Sequence, residues 1–177
     1  MQKSKSVIWA LMFVFLAGCL PNATVYYRPS VDVESTYEQG HCVPVDKYVF
    51  FNIKTKSQTL KVRGYGRTYT GAQGELVSEG QYVIFGNWNE IKYKNEDFYI
   101  TGSDADGKVK AQKLYGEVNV SHSDSNSMFN SSAVFSKQDG NSFDVYFPPL
   151  IIDGEEIDLP VLHIEKTIWM GMSTFNC

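Results

Sequence analysis

The chain has 177 residues, a formal net charge of −4 and an aromatic content of 14%. Its length suits one domain with a real core, because a chain of about 150 residues buries roughly 68–70% of its unfolded surface. The acidic balance argues against nucleic acid as a partner, since that binding depends on basic patches. The abundance of Tyr and Phe favours strands over helices.

The first residues of the chain have the form of an export signal. Lys3 and Lys5 precede an uncharged apolar stretch over residues 7–18. A helix that crosses a membrane needs about 20 apolar residues, so this stretch is too short for one and fits the apolar region of a signal peptide. The stretch ends at a small-small-cysteine junction, Ala17-Gly18-Cys19.

This junction, Leu16-Ala17-Gly18-Cys19, resembles the lipobox of bacterial lipoproteins. The resemblance implies cleavage before Cys19, a diacylglycerol on its thiol, and acylation of its new amino group, as by palmitate. Several acyl chains exceed the two signals that stable anchoring requires. Leu20, which stands where an Asp would imply retention in the inner membrane, implies the periplasmic face of the outer membrane. An ordinary signal peptide with an incidental cysteine, and an uncleaved anchor, are the alternatives.

The three cysteines of the chain are an odd number for an exported protein. If Cys19 carries lipid, Cys42 and Cys177 remain, and we expect them to form a disulfide in an oxidising compartment. Such a bridge over a long loop contributes roughly 2–4 kcal/mol. Two free thiols, or an intermolecular bridge from Cys177, are the alternatives.

The chain then divides into three parts. Residues 1–18 are predicted to be the signal peptide, residues 19–45 a lipidated N-terminus and tether, and residues 46–177 a single β domain. Removing the two lysines of the signal leaves 14 basic against 20 acidic residues, a net charge of −6. The tether is rich in Pro and has little periodicity, although Tyr26 and Tyr27 would fit a sheet edge.

Beyond the tether, short runs of alternating apolar and polar residues lie between turn residues, which is the strand signal. No long window has a helical period, so we expect little helix. The pattern predicts an all-β, antiparallel β-sandwich, of which an immunoglobulin-like arrangement is one form, with a lipocalin-like barrel as the alternative. The predicted strands are 47–53, 59–69, 81–85, 90–94, 97–101, 108–122, 133–137, 143–147 and 161–169.

Three connecting segments have distinct signatures. Asp153-Gly154 is typical of a two-residue type I′ hairpin turn. Residues 104–107 indicate a hairpin turn, because the further ligands of a calcium loop are missing. The polar segment 121–132 is predicted to be a disordered loop rather than a functional one.

One strand carries the most distinctive candidate surface. If residues 60–69 form one continuous strand, five side chains share a face at period two. These side chains, the basic-aromatic stripe, are Lys61, Arg63, Tyr65, Arg67 and Tyr69. They would suit an anionic ligand: a glycan phosphate, a lipid headgroup or an acidic partner. A solvated outer face is the alternative, and Gly64 and Gly66 could form a bulge that breaks the stripe.

The sequence contains no recognisable catalytic or metal constellation. Ser121-His122-Ser123-Asp124 has the residue types of a hydrolase triad, but neighbours in sequence cannot supply its geometry. The acidic cluster at Asp153, Glu155, Glu156 and Asp158 is typical of a solvated hairpin tip. No histidine or cysteine has ligand spacing, so we expect no metal and no cofactor.

Taken together, these features predict a non-enzymatic accessory or binding module. We expect it to be anchored to the membrane by lipid and to have an envelope protein as its partner. A lipocalin-like carrier of an apolar ligand is the main alternative. An inhibitor of cell-wall-degrading enzymes is a weaker alternative.

Overall fold

The computed structural model describes residues 21–39, 45–72, 74–95, 98–102, 109–110, 113–120, 127–136 and 142–172. These ranges contain strands and turns but no helix, and therefore no helix able to cross a membrane. The strands are β1 (Pro21–Ser30), β2 (Ser35–Gln39), β3 (Asp46–Lys54), β4 (Thr59–Thr70), β5 (Leu76–Gly86), β6 (Ile91–Tyr93), β7 (Tyr99–Gly102), β8 (Val109–Lys110), β9 (Lys113–Val120), β10 (Ser127–Ser136), β11 (Phe143–Tyr146), β12 (Leu150–Ile152), β13 (Glu155–Ile157) and β14 (Leu162–Met172).

These strands form two large antiparallel sheets and one small sheet. The five-stranded sheet has the order β1-β14-β11-β7-β8, and the six-stranded sheet has the order β2-β3-β4-β5-β10-β9. The small sheet has the order β13-β12-β6. Buried apolar side chains from the strands of all three sheets form one core. The predicted all-β antiparallel sandwich is therefore confirmed.

The six-stranded sheet contains a meander. β2, β3, β4 and β5 follow one another in the chain and lie side by side in the sheet. An immunoglobulin domain instead divides consecutive strands between its two sheets through Greek-key connections. The described strand order thus differs from the immunoglobulin-like form of the expected sandwich.

The core consists of aromatic and branched side chains at alternate strand positions. Val49 and Phe51 in β3 are buried, and the residues between and beside them are more exposed. Phe51 packs edge-on against Tyr82 of β5 with ring centroids 5.5 Å apart, and Tyr82 lies 4.7 Å from Phe147. Such ring pairs add about 0.5–1.5 kcal/mol beyond the apolar area they bury.

Tyr82 also satisfies its buried hydroxyl. The O–H donates a hydrogen bond of 3.1 Å to the carbonyl oxygen of Pro160. Burial raises the pKa of Tyr82 well above its ordinary value, so the phenol stays a donor at neutral pH. This bond ties β5 to the segment that leads into β14.

Two facing glycines let the large sheets approach closely. Gly66 of β4 pairs in register with Gly80 of β5. A Cβ at Gly80 would lie 2.5 Å from Val145 Cγ2, and one at Gly66 would clash with Ile164 Cδ1. Val145 and Ile164 belong to the opposite sheet and are buried. The register of β4 with β5 is continuous past both of its glycines, so the expected bulge is not formed.

The segment 19–45 differs from the expected tether. Over its described residues it forms β1 and β2, and β1 pairs with β14 through ten consecutive residue pairs. The pairing joins segments far apart in sequence, so the local pattern of the segment does not reveal it. Tyr26 and Tyr27 lie in β1, which is an edge strand of the five-stranded sheet, as their composition suggests.

The polar segment 121–132 also differs from its prediction where it is described. Residues 127–132 are the first part of β10, which pairs with β5 and β9. Ser131 and Ser132 are buried there at 0% and 6% exposure, so small polar residues occupy core-like positions. Residues 121–126 lie outside the described ranges.

The predicted hairpin turn at Asp153-Gly154 is confirmed. Both residues have positive φ, 48° and 84°, as a type I′ turn requires. The Asp153 carboxylate accepts hydrogen bonds of 2.9 Å from the backbone N–H groups of Asn89 and Glu90. The turn is thereby held against the loop before β6.

A histidine on the outer side of β14 fastens the turn between β1 and β2. His163 Nδ1 lies 2.7 Å from Asp144 Oδ1, and its Nε2 lies 3.1 Å from Asp32 Oδ2. Partial burial lowers the pKa of His163, but the hydrogen bonds that its ring donates to the two carboxylates outweigh this effect and raise that pKa above the ordinary value.

The glycine contact predicts a coupling between β4 and β14. We expect Gly66→Ala to lower the free energy of unfolding by about 1–3 kcal/mol, because the added methyl group overpacks the space beside Ile164. In an Ile164→Val background the loss should be smaller, since Cδ1 is absent. Urea unfolding of the four proteins of this cycle measures the coupling. Strictly additive losses would contradict the contact.

The histidine contact predicts a pH-dependent stability. The folded pKa of His163 lies above the unfolded one, so its contribution is fully present below about pH 6.5 and is lost as pH rises through the folded pKa. We expect His163→Gln to cost up to about 1 kcal/mol in mild acid and less at alkaline pH. Thermal unfolding across pH checks this, and a deficit that grows with pH would contradict it.

Candidate functional site

The basic-aromatic stripe lies on the outer face of the six-stranded sheet. β4 runs unbroken from Thr59 to Thr70, paired with β3 on one side and with β5 on the other. Leu60, Val62 and the two glycines of β4 are buried on the inner face, whereas the stripe side chains are half-buried or exposed. The structure therefore brings all five predicted residues onto one face.

Arg67, one of the stripe cations, is neutralised by a buried carboxylate. It pairs across the strands with Glu79, whose exposure is 8%. Arg67 Nε and Nη2 both lie 2.7 Å from Glu79 Oε2. Ser132 of β10 donates a hydrogen bond of 2.6 Å to the other carboxylate oxygen. A buried charge must be paired and hydrogen-bonded, so this network stabilises the sheet.

Arg63 differs from Arg67 because none of the described residues is its acidic partner. Its guanidinium carbon lies 5.0 Å from the ring centroid of Tyr48 and 5.9 Å from that of Phe85. Its Nε is buried and has no hydrogen-bond partner in the part of the chain that the structure describes. Neither Arg63 nor Lys61 forms an ion pair with the described residues. The stripe thus contains two cations that no described carboxylate neutralises.

A groove lined by tyrosines adjoins the stripe where the start of β3 diverges from β4. It has a volume of about 450 Å³, within the usual range for ligand pockets. Its lining includes four tyrosine side chains and two cations, which are Tyr26, Tyr27, Tyr48, Tyr65, Lys47 and Arg67. Burial, and next the charge of Glu79, raise the pKa of Tyr65, so its phenol is a neutral donor at neutral pH.

A second groove lies at the other end of the stripe. It has a volume of about 680 Å³, and its lining residues include Phe50, Asn52, Lys54, Lys61 and the acidic Glu34. Arg63 lies between the two grooves in the order of the strand. The distance from residue 61 to residue 67 along a strand is about 20 Å. The outer face therefore offers an extended track that carries aromatic rings and unneutralised cations.

The remaining predicted sites fall into two groups. Cys19, Cys42 and Cys177 lie outside the described ranges, as do 104–107 and 121–124. The acidic hairpin lies within them, and much of it is occupied by internal contacts. Glu155 accepts a hydrogen bond of 3.0 Å from the backbone N–H of Lys56, and Glu156 pairs with Lys94 at 2.7 Å. No cluster of three potential metal ligands occurs in the described part of the chain.

Several residues of the site were not predicted. Glu79 and Ser132 lie in parts of β5 and β10 that precede the predicted strands 81–85 and 133–137. Tyr26 and Tyr27 were assigned to the tether, and Tyr48 to a strand without a role. The sequence signal for the Arg67–Glu79 pair is a charged residue opposite Arg67 on the neighbouring strand. This signal can be recognised only when the pairing of β4 with β5 is known.

The described part of the chain is thus an antiparallel β-sandwich with a basic and aromatic outer face. No family model, no curated protein and no solved structure matches the chain. Its own residues are therefore the basis for any functional inference.

The two arginines of the stripe should differ in their effect on stability. Arg67→Ala leaves the Glu79 carboxylate buried without its counter-charge, so we expect a loss of about 1–3 kcal/mol. Adding Glu79→Gln should recover part of that loss. Arg63→Ala is the matched control and should cost less, because no carboxylate is left behind. Urea unfolding compares them, and an equal cost for both arginines would contradict the assignment.

Proposed function

We propose that this chain is a lipid-anchored envelope protein whose β-sandwich is a non-enzymatic binding module for an anionic ligand. The observation that carries the proposal is Arg63, which is held between two aromatic rings without an acidic partner among the described residues. A guanidinium placed in this way is preorganised for a phosphate or carboxylate, which it can bind through two parallel hydrogen bonds.

The chemistry of the outer face favours a glycan that carries phosphate or carboxylate groups. Flat tyrosine faces in the groove suit ring-shaped groups, and neutral phenols donate and accept hydrogen bonds. Lys61 and Arg63 supply the positive charge. The track of about 20 Å suits an extended chain better than a compact ligand. The acidic overall balance of the chain keeps this attraction local.

The anchor is supported by the sequence at residues 16–19, which resembles a lipobox. The proposed location is the periplasmic face of the outer membrane, with the ligand or an envelope partner presented there. A disulfide between Cys42 and Cys177 is part of the same proposal, since export would expose both thiols to an oxidising compartment.

The lipocalin-like alternative is less well supported. It requires strands closed around a cavity. The described strands form three sheets, and side chains such as Tyr82, Phe98 and Phe135 occupy the space between them with at most 1% exposure.

The anchor is tested by the mass of the processed protein. We expect the N-terminal fragment of the wild type to begin at Cys19 with acyl chains attached, and the protein to fractionate with outer membranes. Cys19→Ala should abolish the acylated fragment. A mature N-terminus at another residue, or an unmodified Cys19 thiol, would show that the anchor is wrong.

Binding is tested with the processed chain on a glycan array of neutral, phosphorylated and uronic-acid oligosaccharides. We expect binding to the anionic members only, weakening as salt rises. Arg63→Ala should weaken it about tenfold or more, because a charge-assisted hydrogen bond is worth roughly 1.5–3 kcal/mol. Lys92→Ala is the matched control, since Lys92 is an exposed cation paired with Glu90 in the small sheet.

Two results would contradict the binding proposal. One is an array on which neutral and anionic glycans bind equally, or on which nothing binds. The other is an Arg63→Ala variant that binds as tightly as the wild type while Lys92→Ala binds less well.

A further inference from the structure

The paired ends of β1 and β14 extend the core-facing side of the five-stranded sheet beyond the core. The two strands pair from Ser30 with His163 to Pro21 with Met172. Where they cover the core, Pro29 and its partner Ile164 are buried. Further along the same face, Val25, Ile168 and Met170 are exposed by 52%, 62% and 79%. Tyr27 and its partner Lys166 lie between these two groups on the same face, and beyond them the residues of this face are apolar, without a cover among the described residues.

This apolar arm consists of residues 21–26 and 167–172. Its two segments, PNATVY and TIWMGM, contain no charged residue. Charge begins closer to the sandwich, with Lys166 on β14 and with Arg28 on β1, which pairs with Asp46 at 2.8 Å. A surface strand pair in water normally carries charges on its exposed side, so the uncharged arm indicates a less polar contact.

The opposite face of the arm carries two amphipathic aromatic side chains. Tyr26 and Trp169 lie on this side, by the alternation of the two paired strands. The Trp169 ring lies over Gly171, which has no side chain to obstruct it. Tyr and Trp are the residues that favour the boundary between headgroups and acyl chains, because one end is apolar and the other polar.

The position of the arm in the chain indicates what covers it. Only Leu20 lies between Cys19 and Pro21, the first residue of the arm. Two residue steps span at most about 7 Å. A lipid on Cys19 would therefore hold the tip of the arm at the surface of the bilayer.

We propose that the apolar arm lies in the interfacial layer of the membrane that holds Cys19, with Val25, Ile168 and Met170 turned towards the acyl chains. This inference rests on the proposed lipid anchor. The arm adds a second, protein-borne contact to the lipid, and two contacts fix the orientation of the sandwich where a flexible tether would not. The binding face would then be held at a set angle to the membrane.

The test uses the depth of a single tryptophan. Once the signal is removed, the chain retains Trp88 and Trp169. Trp88→Phe with Trp169→Phe removes both indoles, and Val25→Trp then places a single indole on the apolar face. The Trp88 indole N–H has no hydrogen-bond partner among the described residues, so its replacement breaks no described hydrogen bond. The processed, acylated protein is placed in vesicles of phosphatidylethanolamine and phosphatidylglycerol that include lipids brominated in their acyl chains. We expect the bromolipids to quench the indole of Val25→Trp and its emission to be shifted to the blue.

The control variants separate the arm from the anchor. Ile168→Asp with Met170→Asp should remove most of the quenching while the protein stays in the vesicle fraction through its lipid. Both side chains are largely exposed, so the fold should tolerate the change, which thermal unfolding checks. Val33→Asp alters an equally apolar residue, 44% exposed and outside the arm, and should leave the quenching unchanged.

Three other outcomes would contradict the proposal, each at a different step. Acylated protein in which the Val25→Trp indole is not quenched, or is quenched equally in the double variant, contradicts the arm and leaves the anchor intact. A detergent-solubilised dimer that shields the Val25→Trp indole from iodide would assign the apolar face to a second copy. An intact mass without acyl chains contradicts the anchor itself, and with it the reason for placing the arm at the membrane.

Discussion

The close contact between the large sheets depends on β4 staying in one register while it passes two glycines. Gly66 faces Gly80 across the strand pair, and the side chains of Ile164 and Val145 fill the space that these residues leave. Two consequences follow from the same ladder. The inner face admits β14 and β11, and the outer face keeps the stripe residues together on the opposite side of the strand. A bulge at this point would disturb both faces, because a shift of one residue exchanges them.

The sequence predicts strands where buried and exposed residues alternate, and it predicts a turn where the backbone needs positive φ. β3, β4 and β11 alternate clearly, and Asp153-Gly154 supplies the positive φ that its turn requires. The starts of β5 and β10 were missed because many of their buried residues are polar: Ser78, Glu79, Ser131 and Ser132. Glu79 and Ser132 resemble loop residues in sequence, and the hydrogen bond between them, together with the Arg67 ion pair, makes their burial acceptable. β1 was missed because its partner, β14, lies at the other end of the chain.

The sequence likewise predicts only some features of the candidate site. Period-two spacing places five side chains on one face, but it cannot tell which cations are free. Register decides that: Arg67 lies opposite Glu79 and is neutralised, whereas Arg63 lies opposite Val83 and is left between aromatic rings. The tyrosine groove depends on β1 lying near β3 and β4, which no local pattern indicates. Two arginines that look equivalent in the sequence therefore differ in the structure. Arg67 pairs with a buried carboxylate, whereas Arg63 has no acidic partner among the described residues.

Both faces of β4 depend on its unbroken register with β5, and cross-strand nuclear Overhauser contacts test this register most directly. We expect one unshifted series of contacts, from Lys61 with Phe85, through Gly66 with Gly80, to Thr70 with Leu76. A shift of one residue between Gly64 and Gly66 would contradict it. In that case the stripe would not lie on one face, and Arg63 and Arg67 would no longer have the partners described for them.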